Sequence, residues 1–225
     1  MLSSTEWQIL ALSLRVGVVG TMLGLPVALF VGWLLAKSSI RGKAILDMLV
    51  SFPLVLPPVV TGYFLLVLLS RGGPIGGPLH TLFGVDVIFT WVAAALASGL
   101  VALPLMVRAI EISMAGVDPR LELAARSLGA GPFKVFFSIT VPLAYRGILA
   151  AILLAFARAI GEFGATMVVA GNIPGRTQTL PSGIYLGLQT GDDTAALRLI
   201  AISLVLAMSA LILHHKLAQR VVYRI

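Results

Sequence analysis

The chain has 225 residues, 59% of them hydrophobic and only 11% charged, with a net charge of +7 and a mean hydropathy of +1.04. A water-soluble domain carries roughly a quarter charged residues, so this composition excludes that class and defines a polytopic membrane protein. Cysteine is absent, which removes disulfides, zinc–thiolate centres and cysteine nucleophiles from consideration.

Residues 1–10 read as an external N-terminal segment. Five apolar runs follow, approximately Ala11–Ala36, Ile45–Leu69, Val87–Val107, Gly147–Gly171 and Leu197–Leu217. Crossing a hydrocarbon core of roughly 30 Å takes about 20 helical residues, and each run is long enough. The first run has no basic segment before it, Glu6 precedes it, and its length exceeds a secretory h-region, so it is not expected to be a cleaved signal. Within it, Arg15 is placed to snorkel to the interface and Pro26 to kink the helix.

The second run holds Pro53, Pro57 and Pro58. Each proline removes a backbone donor that lipid cannot replace, so a helix broken there is buried in protein or lines a cavity. Interrupted helices line transport paths, and a kinked packing helix is the equal alternative. The loop Ser70–Val85 is glycine-rich but lacks the Lys-Ser/Thr pair of a phosphate loop, and reads as a connecting turn. The fourth run contains Arg158, Glu162 and Thr166. A lone charge at that depth costs at least about 3 kcal/mol, so Arg158 and Glu162, four apart on one helical face, are expected to pair. They serve either as a structural pair or as gate or path elements, and Thr166 is a candidate path residue with them. The polar stretch 171–197 is expected to hold a short helix over Ser182–Leu188.

Orientation follows from the loop cations. Lys37, Arg41, Lys43, Arg108, Arg120, Arg126, Lys134, Arg146, Lys216, Arg220 and Arg224 fall on one side, and Arg71, Arg176 and Arg198 on the other. Eleven against three places the N-terminus outside and the C-terminus, with its basic tail 218–225, in the cytoplasm. The same asymmetry accounts for the net charge without a nucleic acid partner.

The segment 117–143 is the longest that cannot lie in lipid, and this count makes it cytoplasmic. Asp118 is a plausible N-cap with Pro119 at the first helical position. Leu121, Ala124, Ala125 and Leu128 then fall at i, i+3, i+4 and i+7, an apolar stripe of mostly small residues. Gly129 ends that helix, and a second is expected from Pro132 until Pro142 stops it. Such a stripe suits a groove on a cytoplasmic partner, and a helix lying in the membrane interface is the alternative.

Glu122, Ala124 and Ala125, then Gly129, then Ile139 and Pro142 resemble the EAA loop of importer-type ABC permeases. Two departures stand out: Leu123 separates the acid from the alanines, and Val141 replaces leucine before Pro142. FPLVLPPV at 52–59, GEFGA at 161–165, NIPG at 172–175 and TLPS at 179–182 resemble the permease subunits of molybdate ABC transporters. Sulfate/thiosulfate permeases are similar around Gly161–Gly164. The resemblance implies an all-α integral membrane protein with the type I importer permease fold over 11–217, about five transmembrane helices and a two-helix coupling loop. It further implies a homodimer, two cytoplasmic ATPase subunits that bind the ATP and Mg, an external molybdate-binding protein, and alternating access in a bacterial or archaeal cytoplasmic membrane. Molybdate, or tungstate, is the implied cargo. Glu122, Ala124, Ala125, Leu128, Gly129, Ile139 and Pro142 would be the ATPase-coupling residues, and no cofactor or metal is expected on this chain.

Two other classes compete. A membrane-embedded enzyme finds no support, because none of His80, His214 and His215 is placed to pair within a span with Ser, Asp or Glu, and neither H-E-x-x-H nor G-x-S-x-G occurs. A passive channel does not explain a patterned cytoplasmic loop. The chain has no Walker A sequence, so ATP chemistry is expected on another polypeptide.

Overall fold

The computed structural model describes residues 3–37 and 41–222, with side chains through residue 217. Arg220, Arg224 and the tail 218–225 therefore lie outside the described side chains.

Helix α1 (Ser4–Lys37) opens on a reciprocal cap. The Ser3 N–H donates to Glu6 Oε2 at 2.7 Å and the Glu6 N–H donates to Ser3 Oγ at 3.2 Å, satisfying two donors that a helix start leaves orphaned. The helix passes Pro26 as one element. Helices α2 (Lys43–Val55) and α3 (Pro58–Leu69) meet at an angle of 106° across Leu56 and Pro57. Pro58 occupies the first turn of α3, where its missing N–H costs nothing. After α4 (Gly76–Phe83) comes α5 (Trp91–Ala115), capped by the Thr90 side chain accepting from the Ala93 N–H. Then follow α6 (Pro119–Ser127), α7 (Pro132–Val135), a π-helical turn (Phe136–Thr140) and α8 (Val141–Ile160). The chain closes with α9 (Gly164–Ala170), α10 (Leu180–Thr190) and α11 (Asp193–Val222).

Among the described residues, four helical stretches are long and apolar enough to cross a membrane: 4–37, 91–115, 132–160 and 193–217. The bent α2–α3 pair makes a fifth crossing if it counts as one span.

Helices α1, α5 and α8 form the centre, around Leu35, Met106, Ile110, Met114 and Ala155. Lipid tails are as apolar as these side chains, so close packing rather than water exclusion holds such helices together. The α1–α5 crossing is built for it. A Cβ on Gly20 would sit 2.5 Å from the Ala95 carbonyl oxygen, and one on Gly99 would sit 2.5 Å from that of Gly20. The α5 face at this crossing is alanine, with Ala93, Ala94, Ala95 and Ala97 fully buried.

Several sequence expectations need correction. The third span runs from Trp91 to Ala115 rather than 87–107, because Thr90 supplies the cap and the helix continues past Pro104. The fourth does not reach Gly171 as one helix; it breaks at Gly161–Phe163. Pro142 does not stop the second cytoplasmic helix. The π-helical turn just before it absorbs the missing donor, with the Val141 N–H reaching the Phe136 carbonyl, and 132–160 forms one continuous helical stretch. The loop 70–85 carries α4 and is tied down by Arg71, which donates to both Asp86 oxygens at 2.9 and 2.6 Å.

Candidate functional site

The segment from Val117 to Thr140 protrudes at one end of the bundle. Asp118 caps α6 by accepting from the Arg120 N–H at 2.8 Å, an arrangement worth about 1 kcal/mol. At the other end the Ala130 N–H donates to the Ala125 carbonyl and the Gly129 N–H to that of Arg126. This paired C-terminal cap requires a left-handed residue, and Gly129 supplies it at φ 85°. Both ends of α6 are therefore specified locally.

The faces of α6 divide sharply. Leu121, Leu123, Ala124 and Leu128 point outward, Leu128 at 89% exposure. Ala125 and Ile139 are half-buried, and Gly129 and Pro142 are exposed. The stripe read from periodicity is thus an apolar surface left open on a helix that also exposes Arg120 and Arg126, which marks a contact site. Leu123, a departure from the motif, lies on the exposed surface. Glu122 alone turns inward, at 6% exposure. Its carboxylate accepts from Thr140 Oγ1 at 2.7 Å and lies 3.4 Å from Lys37 Nζ, which also donates to the Val117 carbonyl at 2.7 Å. The contacts of Lys37 and Thr140 with Glu122 carry no signal in the sequence, because they join residues far apart in the chain.

The candidate path residues fall at the helix breaks. Pro53 lies inside α2, Pro57 at the bend, and Pro58 at the start of α3. Arg158 and Glu162 pair at 2.8 Å, Glu162 almost wholly buried and Arg158 about 30% exposed on its side chain. The other Glu162 oxygen accepts from the Ala165 N–H at 2.8 Å and so caps α9. Thr166 is buried, its hydroxyl donating to the Glu162 and Phe163 carbonyls. The two breaks meet: a Cβ on Gly164 would lie 3.1 Å from Pro58 Cβ, and one on Gly62 would lie 2.7 Å from the Ala165 carbonyl oxygen. Pro58, Glu162 and Thr166 are therefore brought together around one interruption of two helices.

A second polar cluster, unread in the sequence, ties α2 to α5. Arg108 pairs with Asp47 at 2.5 Å and Glu111 at 3.0 Å and donates to Ser51 Oγ at 3.2 Å. Helix α2 has no buried residue, so this cluster is its main polar tie to the body. At the opposite end, Arg15 stacks over Trp91 at 3.7 Å and Arg198 pairs with Glu6 at 2.8 Å. Of the cations assigned to the sparse side, Arg198 thus lies at the N-terminal end of α1, and Lys37 at the other end of that helix joins the segment 117–140.

The chain thus combines broken, apolar helices around a central interruption with a capped two-turn helix exposed at one end. A chain in the crystal structure of a bacterial ABC transporter involved in the import of the acidic polysaccharide alginate has the same fold, with a TM-score of 0.72 at 15% identity over 97% of this chain and 80% of that one. The chain belongs to the family described as binding-protein-dependent transport system inner membrane component, whose model matches residues 24–223. It is 48% identical over 220 residues to the molybdenum transport system permease protein ModB of Escherichia coli K12, covering 97% of this chain and 96% of that protein. The sulfate transport system permease protein CysW of Synechococcus elongatus is more distant, 36% identical over 89% of this chain and 72% of its own length.

Proposed function

We propose that the chain is the permease subunit of a molybdate importer, two copies of which stand on two cytoplasmic ATPase subunits and receive the anion from an external binding protein. The near-full-length identity to the molybdenum permease carries this reading. The exposed leucines of α6 support an ATPase docking role, since a cytoplasmic surface with Leu128 at 89% exposure calls for a partner. Hydrolysis then belongs to that partner, in keeping with the missing Walker A sequence. The cation bias of the loops supports a cytoplasmic α6 and an external N-terminal end of α1.

Anion choice is exercised mainly by the binding protein, and the permease needs a path tolerant of a divalent tetrahedral anion. Purified permease, ATPase and cognate binding protein, reconstituted in proteoliposomes, should accumulate labelled molybdate only with ATP and binding protein present. Tungstate should compete and sulfate in tenfold excess should not. Sulfate accumulation without molybdate accumulation would overturn the substrate, and failure of the permease to hold an ATPase would overturn the class.

A further inference from the structure

Helix α6 has nine residues, and Glu122 is the one among them that is buried. A helix normally anchors itself by an apolar face; this one turns its leucines outward and inserts a carboxylate. An ionised carboxylate buried without partners would be costly enough to be expelled. Here it is held from two directions, by the Thr140 hydroxyl at 2.7 Å and the Lys37 ammonium at 3.4 Å. Lys37 closes the arrangement by donating to the Val117 carbonyl at 2.7 Å. Four elements converge: the last residue of α1, the turn before α6, α6 itself, and the π-helical turn that leads into α8. The π-helical turn carries an extra residue in its hydrogen-bonded ring and so changes which side chains face α6; Thr140, at its end, is fully buried against Glu122.

We infer that Glu122 is a positioning residue: it fastens the coupling helix to α1 and to the foot of α8, and it does not reach the ATPase. This assignment rests on the proposed importer function and gives the motif's acid a task inside the permease. The two faces of α6 then divide the work. Leu121, Leu123 and Leu128 receive the partner's push, and the Glu122–Lys37–Thr140 clasp passes it to two transmembrane helices. Without the clasp, α6 stays connected to the bundle only through its flanking turns, and its movement is lost in them.

The test uses the whole transporter in proteoliposomes. Glu122→Gln keeps an acceptor for Thr140 and removes the charge that holds Lys37. Expected are wild-type co-purification of the ATPase, wild-type basal hydrolysis, and at least a fivefold fall in molybdate moved per ATP. The charge-swapped Lys37→Glu, Glu122→Lys double variant should recover part of that ratio, which a merely structural role would not restore. Leu128→Glu should instead lose the ATPase itself. A fall in ATPase co-purification that parallels the fall in uptake for Glu122→Gln would show that Glu122 contacts the ATPase, and an unchanged ratio would show that the clasp transmits nothing; either overturns the inference. If Glu122→Gln elutes as aggregate, Thr140→Val is read for the same ratio, with the same outcomes deciding. A wild-type complex that fails to transport molybdate would count against the importer reading alone.

Discussion

Replacing Arg158 with alanine leaves the Glu162 carboxylate, whose side chain is about 2% exposed, without the guanidinium 2.8 Å away. Removing one member of a buried ion pair typically costs about 3–5 kcal/mol, since the other charge stays desolvated. One feature reduces that figure: Glu162 keeps the Ala165 N–H at 2.8 Å. We expect a loss of about 2 kcal/mol, which for a chain of this length lowers the midpoint of thermal unfolding by roughly 4–8 °C. The assay is tryptophan fluorescence in detergent, with ATPase co-purification and uptake measured in parallel. The double variant Arg158→Ala, Glu162→Gln removes the stranded charge while keeping an acceptor for Ala165, and should regain about half of the loss. A shift below about 1 °C, or a double variant no better than the single one, would refute the claim that this pair stabilises the break between α8 and α9. Unchanged uptake and assembly together would also remove it as a gate.

Gly20→Val should prevent the α1–α5 crossing, because its Cβ alone would approach the Ala95 carbonyl oxygen to 2.5 Å; size-exclusion profiles should show aggregate, whereas Val at the open Gly72 should not. Gly129→Pro removes the N–H bonded to Arg126 and cannot adopt φ 85°, and Ala125→Glu places a charge on the docking helix. Each should leave a folded permease that captures its ATPase at least tenfold more weakly in pull-down. Asp86 is held below the ordinary carboxylate range, chiefly by hydrogen bonds from Arg71 and with help from the nearby charges of Arg71 and His80. A depressed folded value stabilises at pH above the unfolded value of about 4 and is lost as pH falls through the folded value. Asp86→Asn should therefore lower the unfolding midpoint slightly at pH 7, and the difference from wild type should vanish as the pH falls well below 4.

What could be read from the sequence was what local geometry decides. Asp118 and Gly129 were found because caps act within one turn, and the four long apolar helices and the bent pair because length and apolarity are properties of a run. Glu122 was placed with the ATPase-facing residues because the motif groups it with the alanines; its burial depends on Lys37, 85 positions earlier, which no periodicity reports. Pro142 seemed a stop because a proline removes a donor, yet a widened turn one residue before it accommodates the loss. The break at Gly161–Phe163 was hidden for a related reason. Hydropathy counts apolar atoms, whereas that break is set by the Glu162 carboxylate accepting from the Ala165 N–H and by the Thr166 hydroxyl donating to the Glu162 carbonyl.

If α6 docks the ATPase as proposed, the same two features give movement of α6 a route to the break between α8 and α9. From Pro132 to Ile160 the chain is one helical stretch of 29 residues, about 43 Å long at ~1.5 Å per residue. Its foot carries the clasp through Thr140, and its far end stops at the break capped by Glu162. There α9 lies against the start of α3, with Gly164 beside Pro58 and Gly62 against the Ala165 backbone. Glycine at both contacts leaves backbone against backbone, a fit that transmits displacement with little slack. Helix α3 in turn meets α2 at the 106° bend, where Pro57 and Pro58 supply no backbone donors to lock the angle. On that reading a tilt of the long helix would be delivered to the place where, among the described residues, two apolar helices are interrupted side by side. The prolines of the second span and the charges of the fourth, read separately in the sequence, belong to a single joint.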